Sequence, residues 1–224
     1  MARIHGVAGE WARVRGTVLG LWPLFLGIFS AGFAVALMLA YAFYGLLLLI
    51  VSLIGISASL MFGLKRIERF FKGARGEEKI AGILAALPDA YHVFNDFTVG
   101  RNHVDHVVAG PGGVFAVETK CWRGNVTIED GDVLLDGRFP DRSPLEQAIR
   151  EATLVRSALA VLGWAGVVTP VLAFASDTFA AHRAEVSGVV VINASELQSS
   201  FKTDRVVIPP AELERLVRLM ESNA

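Results

Sequence analysis

The segment HVDHVVAGPGGVFAVETK, residues 103–120, contains two β-rich runs separated by Gly-Pro-Gly-Gly at 110–113. β-Branched and aromatic residues favour strands, and glycine with proline favours a turn, so the segment predicts an antiparallel hairpin. A four-residue loop pairs Ala109 with Val114. Most other residues of both runs are apolar, which is typical of central strands rather than of a solvated edge.

The same register places Asp105 opposite Glu118, with Lys120 two residues further along on the face of Glu118. Like charges opposed across a ladder destabilise it, by up to about 1 kcal/mol when exposed and by more when water is excluded. A divalent cation relieves this repulsion, and oxygen ligands from two strands suit Mg²⁺ or Mn²⁺. The pattern is therefore typical of phosphodiester hydrolysis, in which a lysine orients the attacking water or offsets charge on the phosphate. Two other interpretations stay open: a structural ion triad, and the remnant of a site that now only binds.

Upstream of the hairpin, apolar residues recur at helical spacing between 80 and 87, and Pro88 follows them. This pattern predicts one amphipathic helix, which we expect to be separated from the preceding segment by a break at 73–76. Glu77 lies three residues before the apolar stripe and so on its inward side. An acid on the apolar side of a helix is unusual, although the helix dipole also stabilises an acid near a helix N-terminus whatever side it lies on.

Downstream, Ser-Pro-Leu-Glu at 143–146 is a capping box with proline at the first helical position, and it predicts a helix to about Leu162. Further elements are predicted as strands at 91–99, 125–128, 133–135, 167–175 and 189–192 and as a last helix from 209–210. These elements make a mixed α/β sheet flanked by helices, and about 150 residues suffice for one such core.

Three strings carry a resemblance to a known family: GARGEEKI at 73–80, HVDHVVAGPGGVFAVETK at 103–120 and SPLEQA at 143–148. Together they resemble the nuclease-related domain (NERD) found in bacterial membrane and helicase-linked proteins, itself similar to the PD-(D/E)xK nuclease superfamily. The resemblance covers roughly 73–197. It implies a restriction-endonuclease-like fold, which agrees with the mixed sheet predicted from the elements.

The resemblance also implies roles for five side chains in a nuclease-like site with Mg²⁺ or Mn²⁺ as cofactor. Asp105, Glu118 and Glu77 would be metal ligands, Glu77 as part of a helical Gly-Glu motif. Lys120 would be the lysine of the Glu-x-Lys element, and Gln147 the glutamine of the following helix. From the sequence alone, Gln147 lies off the apolar stripe of its helix, so a solvated side chain is an equal alternative.

His103 and His106 flank Asp105, and Cys121 follows Lys120. The hairpin register sets His103 opposite Lys120 on the acidic face. Ordinary strand and core residues are nevertheless the simplest interpretation of all three side chains. Because Cys121 is the only cysteine, an intramolecular disulfide and a multi-cysteine zinc site are excluded, and a reducing compartment fits.

The function implied by the resemblance is metal-dependent hydrolysis of nucleic acid, with DNA favoured over RNA; the alternative is an inactive nuclease fold that binds nucleic acid or a protein. Residues 76–224 carry thirteen basic against twenty acidic side chains, a net charge of −7, which is a poor electrostatic footprint for a duplex. A local basic groove would offset this deficit. Its candidate residues are Arg101, Lys120, Arg123, Arg138 and Arg142.

Residues 1–75 differ from the rest, with eight basic against two acidic side chains and no charge at all from 16 to 64. A spanning helix needs about 20 apolar residues, so this stretch predicts two transmembrane helices, near 17–39 and 44–63, joined as a hairpin. Basic residues precede the first span and follow the second. This distribution predicts that both ends of the hairpin are cytoplasmic.

The predicted order is a cytoplasmic N-terminus at 1–16, two transmembrane helices at 17–64, a basic juxtamembrane linker at 65–75 and the nuclease-related domain at 76–224. We therefore expect a multi-pass protein of the cell (inner) membrane, with both termini and the domain cytoplasmic and lipid contacts through 17–75. No ionisable residue lies within the spans, which argues against a transporter or channel. Small residues that allow close helix packing, within one chain or between copies in a homo-oligomer, are Gly20, Gly27, Gly32 and Ala36.

Overall fold

The computed structural model describes residues 1–201 and 206–222. The chain forms two compact units, one made of Met1–Gly9 together with Arg75–Ala224 and the other of Glu10–Ala74. The first unit has a mixed α/β fold, and the second is helical.

Two long apolar helices account for the helical unit. α1 is Glu10–Met38, and α2 is Ala42–Ala85, whose last part belongs to the α/β unit. Both helices are long and apolar enough to cross a membrane. The turn between them falls at 39–41, close to its predicted position.

Glycines of α1 pack against α2 within the same chain. A Cβ atom on Gly20 would lie 2.4 Å from a side-chain carbon of Ile67, and one on Gly27 would lie 2.8 Å from Ile56. A Cβ atom on Gly32 would meet no other described atom within 4 Å. Two of the small residues predicted to allow close packing therefore serve the contact between the two helices of one chain.

The break expected at 73–76 is wrong, because α2 is continuous through it. A glycine in a helix interior costs only about 1 kcal/mol relative to alanine, and tertiary packing outweighs that cost. Gly76 is needed for packing, since a Cβ atom there would lie 2.8 Å from the Cβ of Cys121. The basic segment at 65–75 is consequently helical.

Within the described residues, seven strands form one mixed sheet, and two more form a separate hairpin. The strands are β1 Arg3–His5, β2 His92–Val99, β3 Asn102–Gly110, β4 Gly113–Lys120, β5 Val126–Glu129, β6 Asp132–Leu135, β7 Val168–Phe174, β8 Arg183–Val186 and β9 Val189–Asn193. The sheet order is β1-β2-β3-β4-β7-β9-β8, in which β1–β2, β4–β7 and β7–β9 are parallel pairs. The predicted mixed sheet is confirmed, with β3 and β4 at its centre.

The predicted register of the central hairpin is confirmed over its apolar part, where Ala109 pairs with Val114. The loop is shorter than expected, because Gly110 also pairs with Gly113. Gly113 has a φ of +133°, a conformation that side-chain-bearing residues rarely adopt.

Helices cover both faces of the sheet. They are α3 Pro144–Val161, α4 Ala194–Phe201 and α5 Pro210–Glu221, together with the end of α2. α3 and α5 share one apolar core with the sheet, and α4 and α2 share the other. α3 begins as predicted, with the Ser143 hydroxyl accepting the backbone N–H of Glu146.

The N-terminal strand β1 was missed in the sequence. It pairs in parallel with β2, matching Ile4 with Val93. A strand of three residues is too short to show an alternating pattern, and its partner lies beyond both apolar helices. The first nine residues, expected to be a plain cytoplasmic N-terminus, therefore complete the α/β unit.

Replacing Leu159 by alanine tests the packing of α3 on the sheet. Its side chain is fully buried, so Leu159→Ala should lower the free energy of unfolding by about 2–5 kcal/mol. Val161→Ala on the same helix is the control: Val161 is exposed, and the change should stay within about 0.5 kcal/mol. Urea unfolding followed by tryptophan fluorescence measures both, and equal effects would contradict the packing described.

Candidate metal centre

The ladder between β3 and β4 ends just before the two predicted acids. Its last pair is His106 with Val117, so the expected cross-strand pair of Asp105 with Glu118 is not part of it. Beyond that point the Asp105 carboxylate accepts the backbone N–H of Thr119 at 2.8 Å. Two acids facing each other in a buried ladder repel, and a side-chain acceptor here replaces main-chain pairing.

Asp105 forms one group with Glu77 from α2 and His103 from β3. One ligand atom from each of these three side chains lies within 4.8 Å of the other two. Glu77 is buried, and its Oε2 atom has no hydrogen-bond partner among the described residues. Two carboxylates and an imidazole converging in this way can hold a cation.

A further acid, Asp96, adjoins this group from β2. The paired residues on either side set Asp96 opposite Asp105, and its carboxylate lies 3.2 Å from Nε2 of His103. Its φ of +51° lies in the left-handed region, which costs a residue with a Cβ about 1–2 kcal/mol. The strand alternation is broken there, since Phe94 and Phe97, three residues apart, belong to the same core.

A second group of polar side chains joins β4 to α3. Lys120 forms an ion pair with Glu118, and its Nζ atom donates to Oε1 of Gln147 at 2.9 Å. Gln147 in turn donates from Nε2 to Oε1 of Glu151 at 3.0 Å. Glu118 and Glu151, at the two ends of this chain of contacts, are both buried, whereas Lys120 and Gln147 are partly exposed.

The buried acids of the two groups raise one another's pKa. Burial, followed by the charge of Asp96, raises the pKa of Glu77 to about 7. Burial and the charge of Glu118 raise the pKa of Asp105 well above its usual range. The same two causes raise the pKa of Glu151 to about 9. The site thus gathers more buried carboxyl groups than its own cations can keep ionised, and a divalent cation would stabilise their charged form.

The two histidines have different surroundings. His106 lies fully buried with Nδ1 at 2.8 Å from Oδ1 of Asn95, and burial lowers its pKa to about 3, so the ring is neutral. It fits its interpretation as an ordinary strand residue. His103 does not, because it lies between Asp96 and Asp105 and belongs to the group that can hold a cation.

The structure brings the five predicted site residues into these two groups. Glu77 and Asp105 share the first, and Glu118, Lys120 and Gln147 share the second. Glu118 is outside the 4.8 Å group, although its charge still acts on Glu77 and Asp105.

Three residues of the site were missed or read as structural: Asp96, His103 and Glu151. Glu151 left a signal, because it lies four residues after Gln147 and on the buried stripe of α3. Asp96 left none, because a left-handed residue inside a strand has no sequence signature of its own.

Fold and site together define a class of protein: a mixed α/β domain in which acidic side chains and one lysine converge where two central strands part. The chain belongs to the nuclease-related domain family, whose family model matches residues 72–192, more than half of the chain. The resemblance predicted from the three sequence strings is confirmed. Comparisons with curated proteins and with solved structures found no match.

The raised pKa of Glu151 predicts how stability depends on pH. The unfolded chain releases this proton near the ordinary value of 4.5 and the folded chain near 9, so the group destabilises the fold progressively as pH rises between them. The metal-free chain should lose stability from pH 5 to pH 9, and Glu151→Gln should lose less. Urea unfolding in the presence of a chelator measures this, with Glu214→Gln, an exposed acid on α5, as the control. Parallel curves for wild type and Glu151→Gln would contradict the prediction.

Proposed function

We propose that this chain is a membrane-anchored nuclease-like hydrolase that cleaves nucleic-acid phosphodiester bonds with a divalent cation. The observation that carries the proposal is the group of Glu77, His103 and Asp105, set beside the ion pair of Glu118 with Lys120. Membership of a family described as nuclease-related supports the same function.

A divalent cation fits the donor set. Carboxylate oxygens suit Mg²⁺, and the imidazole of His103 makes the set equally suitable for Mn²⁺. The buried Oε2 of Glu77 has no hydrogen-bond partner among the described residues, and a cation would provide one. Glu77, His103 and Asp105 would hold the ion, with Glu118 as the further ligand expected from the family motif. When bound, such an ion supplies a water of lowered pKa and stabilises charge on the phosphate.

The remaining polar side chains hold Lys120 in place for the reaction. Glu118 and Gln147 each accept a hydrogen bond from its ammonium group, and Glu151 fixes the amide of Gln147 so that its oxygen faces the lysine. An ammonium group held in this way can donate to the attacking water or to a phosphate oxygen as charge develops. Asp105 keeps its position through the backbone of Thr119.

DNA is the substrate we propose in preference to RNA. Exposed basic side chains flank the site in sequence, with Arg101 two residues before His103 and Arg123 three residues after Lys120. Neutralising backbone phosphates is the main source of affinity for nucleic acid, and these groups would supply it locally despite the net acidity of the domain.

A second candidate function is binding without turnover. It is favoured by Glu118, which lies outside the group of potential ligands and is already paired with Lys120. In that case the domain would recognise nucleic acid or a protein partner at the membrane without hydrolysing it.

For the membrane, we propose a hairpin of two spans in the cell (inner) membrane, with both ends and the domain cytoplasmic and lipid contacts through 17–75. β1 precedes α1 and pairs with β2, which follows α2, within one compact unit. A paired sheet cannot be divided by a bilayer, so two spanning helices must leave and return on the same side. The basic residues that flank the spans support the cytoplasmic side.

A nuclease assay on the detergent-solubilised full chain tests the hydrolytic proposal. With Mg²⁺ or Mn²⁺, wild type should cleave DNA, whereas Asp105→Ala and Lys120→Ala should each reduce the rate by about 10² or more, since each removes a group that acts on the reacting phosphate. RNA is assayed alongside. Asp130→Ala, in the exposed β5–β6 turn, should retain the wild-type rate. The same background in wild type and the two site variants would end the enzymatic proposal, and DNA binding without cleavage would favour the second candidate.

Cysteine labelling tests the membrane topology. In a Cys121→Ala background, single cysteines replace Val7, Ala40 and Val161, all exposed positions. A membrane-impermeant maleimide applied to intact spheroplasts should label Ala40→Cys alone, and the other two only after permeabilisation. Opposite labelling of Val7→Cys and Val161→Cys would rule out the hairpin.

A further inference from the structure

The N-terminal segment, Met1–Gly9, is attached to the α/β unit along its length. The backbone N–H of Ala2 donates to the carbonyl of Ala85, the last residue of α2, at 3.1 Å. The ring of His5 stacks on Phe94 of β2 with 4.2 Å between the ring centroids. The segment is therefore fixed against both β2 and the helix that carries Glu77.

Two glycines set the path of the segment towards the candidate metal centre. Gly6 and Gly9 have φ values of +76° and +74°, which only glycine adopts freely. A Cβ atom on Gly6 would lie 2.5 Å from the carbonyl oxygen of Asn95, so the chain can pass β2 at this distance only without a side chain. Ala8 and Gly9 then become buried, and the backbone N–H of Gly9 donates a hydrogen bond to Glu77.

This hydrogen bond restrains a carboxylate that otherwise has few partners. Oε2 of Glu77 has no hydrogen-bond partner among the described residues, and the backbone N–H of Gly9 is a donor that acts on this carboxylate. Glutamate has three rotatable side-chain bonds, and fixing one oxygen removes much of that freedom before a ligand binds. The carboxylate that the backbone restrains is also the one that offers an oxygen to the group with His103 and Asp105.

We propose that the N-terminal segment is part of the candidate site and that Gly9 is a positioning residue, holding Glu77 in the orientation in which it binds a cation. The metal role rests on the proposed function, whereas the contact between Gly9 and Glu77 does not. Gly9 and Glu77 are far apart in sequence, because Gly9 directly precedes α1 and Glu77 follows the apolar stretch of α2. The site is then built from residues on both sides of the two apolar helices.

Amide hydrogen exchange at Gly9 tests the contact in the metal-free, detergent-solubilised full chain. Glu77→Ala should speed exchange at Gly9 by about tenfold, because the acceptor is lost. Glu77→Gln is the matched control: its amide oxygen still accepts, so protection at Gly9 should persist. The amide of Arg3, which donates to Tyr91 at 2.9 Å, should exchange at one rate in all three proteins. Equal exchange at Gly9 in wild type and Glu77→Ala would overturn the proposal.

A double-mutant cycle on Mn²⁺ affinity tests the positioning role. Gly6→Ala should displace the segment and weaken Mn²⁺ binding by about tenfold in calorimetry, but it should weaken binding no further when Glu77 is already alanine. Val7→Ala, an exposed neighbour in the same segment, should bind Mn²⁺ as wild type does.

Two results of this cycle would overturn the positioning role: wild-type affinity in Gly6→Ala, or an equal loss in the Glu77→Ala background. If wild type itself binds no Mn²⁺, the proposed function and the metal role of Glu77 both fail. The exchange rate at Gly9 still decides separately whether the segment holds Glu77, and it does not depend on correct folding of the Gly6→Ala variant.

Discussion

Two carboxyl groups cannot occupy opposed positions of a buried strand pair without a counter-charge, and the centre of the sheet is organised by that constraint. The ladder of β3 and β4 stops at His106 and Val117, and Asp105 bonds to the backbone of Thr119 instead of facing Glu118 in a regular pair. The two acids have different neighbours: Asp105 lies with Glu77 and His103, and Glu118 pairs with Lys120. Without the parting of these two strands there would be an ordinary apolar hairpin and no site.

Acidic side chains outnumber basic ones where β3 and β4 part, and this excess lowers the stability of the fold. The basic side chains present relieve it for only some of the acids. Lys120 neutralises one acid and His103 adjoins two others, yet the buried carboxyls of Glu77 and Glu151 have an oxygen each without a partner among the described residues. Asp96 adds backbone strain at the same place. Buried unpaired acids and a strained residue are features that lower stability, and they persist together mainly where a ligand or a reaction requires them. This concentration in one place favours a binding site over a structural ion network.

Turn and capping residues in the sequence predicted the elements whose position is set by residues close to them in the chain. The glycine-rich turn fixed the register of the central hairpin, and the cap at Ser143 fixed the start of α3. Two failures were decided by tertiary contacts: packing of Gly76 against Cys121 outweighed the helix-breaking tendency of 73–76, and β1 gains its place only by pairing with a distant strand. The strand β8 and the helix α4 were also missed. The acids of β3 and β4 were identifiable, but which of them share a cation depends on where the strands part, and that was not visible in an alternating pattern.

The position of β1 determines how the two apolar helices relate to the domain in sequence. A domain that merely followed an anchor would have its whole sheet after the second apolar helix, whereas here the edge strand comes before the first. The apolar helices are therefore an insertion within the sequence of the domain. Because α1 and α2 pack against each other as Gly20 does on Ile67, the chain returns towards its starting point. This return lowers the entropy cost of pairing β1 with β2 across so long a connection. A fragment that begins after the helices would lack both the edge strand and Gly9. The α/β unit can therefore form completely only in a chain that also contains the two helices.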